Sequence, residues 1–147
     1  MKGFVCKVCG FVSLEGKLEV CPICHMKNVI EEQEDAYKMP DFKAEKGESE
    51  KKHIPFFAVS DQCELIPGAA CIDVHVRIGE ILHPAAPEHH ITNITFYLDN
   101  KFITWVELTS DVNPAAVVHL KIGTKGKVQV IENCNLHGRW YNEVEIQ

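Results

Sequence analysis

From Cys71 to the end of the chain, short stretches of alternating apolar and polar residues recur with turn residues between them, and no long helical period interrupts them. Cys71-Ile-Asp-Val-His-Val-Arg-Ile places every second side chain on one face, as a half-buried strand does. Ile91-Thr-Asn-Ile-Thr-Phe-Tyr-Leu and Phe102-Ile-Thr-Trp-Val-Glu-Leu are separated by Asp99-Asn100-Lys101, a hairpin signal. Ala116-Val-Val-His-Leu-Lys-Ile, Lys127-Val-Gln-Val-Ile-Glu and Tyr141-Asn-Glu-Val-Glu-Ile follow, with Gly123 and Gly126 in the turn between the first two. Six or seven short strands with turns every eight to twelve residues or so predict a mainly β chain. The expected architecture is an immunoglobulin-like antiparallel β-sandwich. With 147 residues, 46% of them hydrophobic, the chain has enough apolar surface for such a core and for a small second unit.

That second unit is predicted at the N-terminus. Cys6-Lys-Val-Cys9 and Cys21-Pro-Ile-Cys24 are two C-x-x-C turns with eleven residues between them. A two-residue spacer lets both sulfurs of one turn reach the same ion, and two such turns complete a tetrahedral shell that fits iron and zinc alike. Seven cysteines and eight histidines, in a chain whose start carries no signal-peptide pattern, point to metal binding rather than to disulfides. The segment Val5-Cys-Lys-Val-Cys-Gly-Phe-Val resembles the rubredoxin-like module attached to rubrerythrins, which implies an electron-transfer iron centre; His25 stands where a glycine commonly follows the last cysteine. Residues 1–36 are read as this metal domain. Residues 37–50, rich in charge and broken by Gly47 and Ser49, are read as a solvated linker, and residues 51–147 as the β-sandwich.

Three further segments carry chemistry. In Cys134-Asn-Leu-His137-Gly-Arg-Trp140 a thiol and an imidazole three residues apart can share one metal, with Gly138 allowing the sharp turn. Lys52-His53-Ile-Pro lies upstream, as does His83-Pro-Ala-Ala-Pro-Glu-His89-His90-Ile, whose prolines stiffen the loop between two imidazoles. In this order the three segments resemble the desulfoferrodoxin and neelaredoxin family of superoxide reductases. The resemblance covers about residues 50–147, and the N-terminal knot corresponds to the extra centre of two-iron members. It implies a mononuclear non-haem iron with His53, His83, His89 and His137 as equatorial ligands and Cys134 as the axial thiolate. It also implies one-electron reduction of superoxide to hydrogen peroxide without dioxygen formation, with electrons from a donor such as rubredoxin or a reductase. Lys52 matches the family lysine that attracts the anion and organises a proton-donating water; a linker lysine exposed like its neighbours is the plainer alternative. The family often has glutamate just before that lysine, capping oxidised iron, whereas this chain has Lys51 there and Glu50 one residue earlier. A homodimer is expected from the resemblance alone.

His90, next to His89 on an extended strand, is expected to point away from the site. His75 and His119 read as ordinary sheet histidines, Cys63 and Cys71 as reduced thiols able to approach each other across Pro67-Gly68, and Trp140 and Tyr141 as packing beneath the ligand loop. The net charge of −6 excludes a nucleic-acid partner of the usual basic kind, and no stretch approaches the ~20 apolar residues of a spanning helix, so a cytoplasmic protein is expected. Two other functions fit the same residues. One is a rubredoxin-like electron-transfer protein with a metal-stabilised sandwich as docking domain; the other is a non-enzymatic pairing of zinc ribbon and sandwich used for binding.

Overall fold

The computed structural model describes residues 1–41, 47–61 and 70–147. Strands β1 (Gly3–Cys6), β2 (Val12–Ser13) and β3 (Ile30–Gln33) form a small antiparallel sheet in the order β2-β1-β3. After the helix α1 (Glu48–His53) come β4 (Pro55–Ser60), β5 (Cys71–Ile78), β6 (Ile91–Leu98), β7 (Lys101–Glu107), β8 (Ala115–Lys121), β9 (Gly126–Cys134) and β10 (Gly138–Ile146). They build two antiparallel sheets, ordered β10-β9-β6-β7 and β4-β5-β8. The sandwich expected from the alternating stretches is therefore present. Asp99 and Asn100, at φ 47° and 72°, make the tight β6–β7 turn that their sequence signals.

Between the two sheets lie Ile72, Val74, Val76 and Ile78 of β5, Ile94 and Phe96 of β6, Val128 and Val130 of β9, and Ile146 of β10. Removing each from water contributes about 1.5–3 kcal/mol. The four-stranded sheet is covered on its other face as well. There Tyr97, Ile131 and Tyr141 pack with Val5, Phe11, Val12 and Ile30 of the N-terminal unit. Phe11 sits edge-on to Phe102 at 5.4 Å, and the buried Tyr97 hydroxyl donates to the Val12 carbonyl at 2.6 Å. Cover on both faces explains why β6 and β9 are buried along most of their length.

The stretch read as a solvated linker departs from that reading at both of its described ends. Tyr37 packs on Tyr141 at 5.5 Å, and Lys38 runs beside β10, its amide bonded to the Arg139 carbonyl and its carbonyl to the Tyr141 amide. At the other end, residues 48–53 are helical despite Ser49, with Glu48 and Glu50 in the first turn and Lys51, Lys52 and His53 in the last. That charge order suits the helix dipole, which a count of breaker residues overlooks. Cys63 lies outside the described residues.

Tyr97→Phe removes one buried hydroxyl donor between the N-terminal unit and the sandwich. It should lower the unfolding free energy by about 1–2 kcal/mol, read as a lower urea midpoint with the slope unchanged.

Candidate metal centres

The first cluster is all sulfur. Cys6, Cys9, Cys21 and Cys24 place their Sγ atoms within 4.8 Å of one another, with Cys6–Cys24 at 3.7 Å and Cys9–Cys21 at 3.5 Å. An ion bonded to four sulfurs at about 2.3 Å needs edges of roughly 3.8 Å, so the knot fits a tetrahedral metal. The turn itself prepares the ligands. Burial pushes the Cys6 pKa up, but the amides of Cys9 and Val8, each 3.4 Å from its sulfur, outweigh this and bring it to about 7. Burial pushes Cys9 and Cys21 up, so their thiolates form only against a cation. His25 is exposed and adopts φ 63°, the left-handed conformation in which glycine is commonest; it is outside the four-sulfur cluster.

The second cluster lies at one end of the sandwich. Neighbouring rings in the order His53, His83, His89, His137 are 4.9, 4.6, 5.0 and, closing back to His53, 4.9 Å apart, each nearly perpendicular to the next. The His53–His89 diagonal is 6.4 Å. Four similar edges and one diagonal about 1.3 times as long describe an approximate square. The donor atoms of His53, His83, His89 and the Cys134 sulfur all lie within 4.8 Å of one another. His137, more exposed than the rest, brings Nδ1 to 3.6 Å from that sulfur.

The outer ring atoms explain the inner ones. Nδ1–H of His53 donates to the Ser49 carbonyl at 2.7 Å, and Nδ1–H of His83 to the Pro84 carbonyl at 2.8 Å. Each bond fixes the tautomer that leaves Nε2 with a free lone pair. The Nε2 atoms of His53, His83 and His89 are buried and have no hydrogen-bond partner among the described residues. Orphaned acceptors facing one point are costly unless a cation sits there. Burial lowers the pKa of His53 and takes that of His83 to about 4, against the pull of their carbonyl partners, so both stay neutral at pH 7. The donors present therefore fit an iron ion.

Three parts of the chain must meet to make this square. α1 carries His53, and Gly79 holds it in place. A side chain at Gly79 would come within 2.7 and 2.8 Å of the Lys52 and Lys51 carbonyls, at a φ of 89° that other residues rarely adopt. The Ile81 amide bonds the Lys51 carbonyl across this contact. The turn between Cys134 and Gly138, a cross-strand pair at the β9–β10 hairpin, presents His137, with Gly138 at φ 76°. Asn135 then ties that turn to the His89 loop. Its side chain accepts from the His90 amide at 3.0 Å and donates to the Glu88 carbonyl at 3.1 Å, while its amide donates to the His90 carbonyl at 3.2 Å.

The comparisons with known proteins agree with this geometry. The desulfoferrodoxin family model matches residues 45–143, two thirds of the chain and every member of the square. The chain belongs to the desulfoferrodoxin family. Its sequence is 35% identical to a superoxide reductase of Pyrococcus abyssi over 124 residues, covering 77% of this chain and 97% of that one. A desulfoferrodoxin of Desulfarculus baarsii is 29% identical over 144 residues, covering 95% of this chain and 94% of its own, so this match extends into the cysteine-rich segment. The solved superoxide reductase from Nanoarchaeum equitans superposes with a TM-score of 0.53 at 26% identity, covering 65% of this chain and 94% of that one.

Around the square of this desulfoferrodoxin-family chain stand Trp140, expected beneath the ligand loop, and two groups that the sequence motifs did not reveal, Lys38 and Glu132. Trp140 stacks on His53, 5.0 Å away and tilted by 18°. Lys38, from the presumed linker, lies 4.6 Å over the Trp140 ring and donates to the His137 carbonyl at 3.3 Å. Glu132 is wholly buried, and burial pushes its pKa well above the carboxylate range against the weaker pull of the Trp140 backbone and Lys38. Glu132 and Cys134 face the interior from β9, which packing alternation signals only once the register is known. Lys52 pairs with Glu48 at 3.2 Å in an exposed contact, and Glu50 borders a small cleft with Ile54, Phe57 and Glu80 that contains none of the five converging residues. His75 is exposed on β5, and His119 bonds Asp73.

Two outcomes test this account. In protein stripped of metal, unfolded His83 takes up a proton near pH 6.5 while the folded residue refuses it until about 4. Unfolding free energy should therefore fall as pH drops through that window, measured by urea titration at each pH. Asn135→Ala should weaken metal retention at the square by about 10–100-fold in chelator competition, because the two loops lose their tie.

Proposed function

We propose that this chain is a superoxide reductase that converts superoxide to hydrogen peroxide by one electron, without forming dioxygen. The observation that carries this reading is the square of four imidazoles beside a buried thiol, with the outward Nδ1 atoms of His53 and His83 tied to carbonyls. Such a donor set exceeds the four ligands of a closed structural zinc site. A relative that bears the name superoxide reductase, at 35% identity over 77% of the chain, supports it.

His53, His83, His89 and His137 hold the iron through ring nitrogens, and Cys134 through its sulfur. When bound there, iron supplies the single electron with which superoxide and two protons become hydrogen peroxide. Burial pushes the Cys134 thiol up, so its proton leaves to solvent only when a cation takes the sulfur. Lys52 serves to attract the anion in a protein of net charge −6. Its pairing with Glu48 is an exposed contact worth little, so the amine is free to swing towards an incoming anion. In this reading the four-cysteine knot holds a second iron, zinc being the other ion it fits, and passes electrons from a rubredoxin or a reductase. The protein acts in the cytoplasm as a homodimer; among the described residues no helix is long and apolar enough to cross a membrane.

Purified protein should contain two irons per chain and show a thiolate-to-ferric charge-transfer band that Cys134→Ser abolishes. After pulse radiolysis the reduced protein should react with superoxide in a second-order step, yielding hydrogen peroxide and no dioxygen. Lys52→Ala should slow that step severalfold and flatten its salt dependence. Stoichiometric zinc in both clusters would overturn the enzymatic reading, and an unchanged rate and salt dependence in Lys52→Ala would remove Lys52 from it.

A further inference from the structure

A third group of metal-type donors is separate from both clusters. Asp73 on β5 and His119 on β8 are directly opposed across the antiparallel pair, and Cys71, two residues before Asp73, shares their face. This is the outer face of the three-stranded sheet, since Ile72, Val74 and Leu120 point into the sandwich core. β5 ends at Ile78, beside the Gly79 contact with α1, and Cys71 is at its other end. Seven residue steps separate them, about 23 Å of strand. The group is therefore at the end of the sandwich away from the histidine square.

Its geometry is that of convergence. The donor atoms of Cys71, Asp73 and His119 all lie within 4.8 Å of one another. The Cys71 thiol donates to Asp73 Oδ1 at 3.1 Å, His119 Nδ1 is 2.7 Å from the same oxygen, and the sulfur is 3.9 Å from Nδ1. A nucleophilic Cys-His-Asp relay needs the thiol and the carboxylate on opposite ring nitrogens, with the imidazole between them. Here both face Nδ1, so the arrangement cannot relay a proton through the ring. What remains is the convergence of three different metal-type donors.

We propose that Cys71, Asp73 and His119 form a third metal site, for a divalent transition ion of the zinc type. One sulfur, one imidazole and one carboxylate make a mixed, borderline-soft set, unlike the all-oxygen shells of calcium or magnesium. Tetrahedral bonds to such donors need them about 3.3–3.6 Å apart. The spacings of 3.1 and 3.9 Å reach that with shifts of a few tenths of an ångström, and the 2.7 Å His119–Asp73 hydrogen bond opens by about 0.6 Å once its proton has moved. On binding, the thiol proton leaves to solvent and the His119 proton passes from Nδ1 to Nε2, so both sulfur and nitrogen offer a lone pair. Cys71 and Asp73 are buried, while the His119 side chain is 31% exposed, so an ion reaches the group from the His119 side.

The test uses the full chain with its iron sites loaded, titrated with Co2+ without oxygen. One further equivalent should bind and give a sulfur-to-cobalt charge-transfer band, with iron content and iron spectrum unchanged. Cys71→Ser should abolish that band, and His119→Gln, a conservative change at a partly exposed position, should weaken uptake by at least about tenfold. No uptake by the unmutated protein, displacement of iron by the cobalt, or equal affinity and spectrum in either variant would overturn the site.

Discussion

Three buried imidazole nitrogens with their lone pairs facing one another, beside a buried thiol, impose the constraint that the end of the sandwich is built to meet. In the absence of a cation each nitrogen is a desolvated acceptor with nothing to accept from. The arrangement persists because the opposite side of the rings is anchored: the Ser49 and Pro84 carbonyls hold His53 and His83 by Nδ1. Gly79 lets α1 press against the loop after β5, and Asn135 fastens the His89 loop to the Cys134 turn.

The N-terminal unit contributes more than a second metal knot. By covering the outer face of the four-stranded sheet through Phe11, Val12 and Ile30, it makes β6 and β9 fully interior strands, and β9 is the strand that ends in Cys134. The chain leaving this unit then runs along β10 and delivers Lys38 over Trp140, whose ring stacks on His53. The cysteine-rich unit and the histidine site are thus parts of one packed structure, joined at β10.

Much of the candidate centre was legible because residues of metal-binding type cluster at short spacings, and because three such segments in order resemble a known family. The two C-x-x-C turns, the paired histidines around a proline-stiffened loop and the Cys-Asn-Leu-His turn each place donors within a few residues of one another. The alternation of apolar residues likewise showed the sandwich strands, because a half-buried strand repeats every second residue. The charged segment misled for the same reason. Its composition describes solvation, while the docking of Tyr37 and Lys38 depends on a partner strand about a hundred residues away, and the helix carrying His53 depends on where its charges fall along an axis.

By itself, then, the sequence showed which stretches are strands, through their short-range period, and where residues of metal-binding type cluster locally, while the set of four histidines and one cysteine came from the family resemblance. Only the tertiary structure decided that four histidines from three distant segments stand at the corners of one square, and which of their nitrogens face inwards. The same is true of the approach of Cys71, Asp73 and His119, where two strands with no shared motif meet in a single register. Such meetings are set by how whole sheets pair and pack, and a one-residue slip of register, invisible in any local pattern, would place the same side chains on opposite faces.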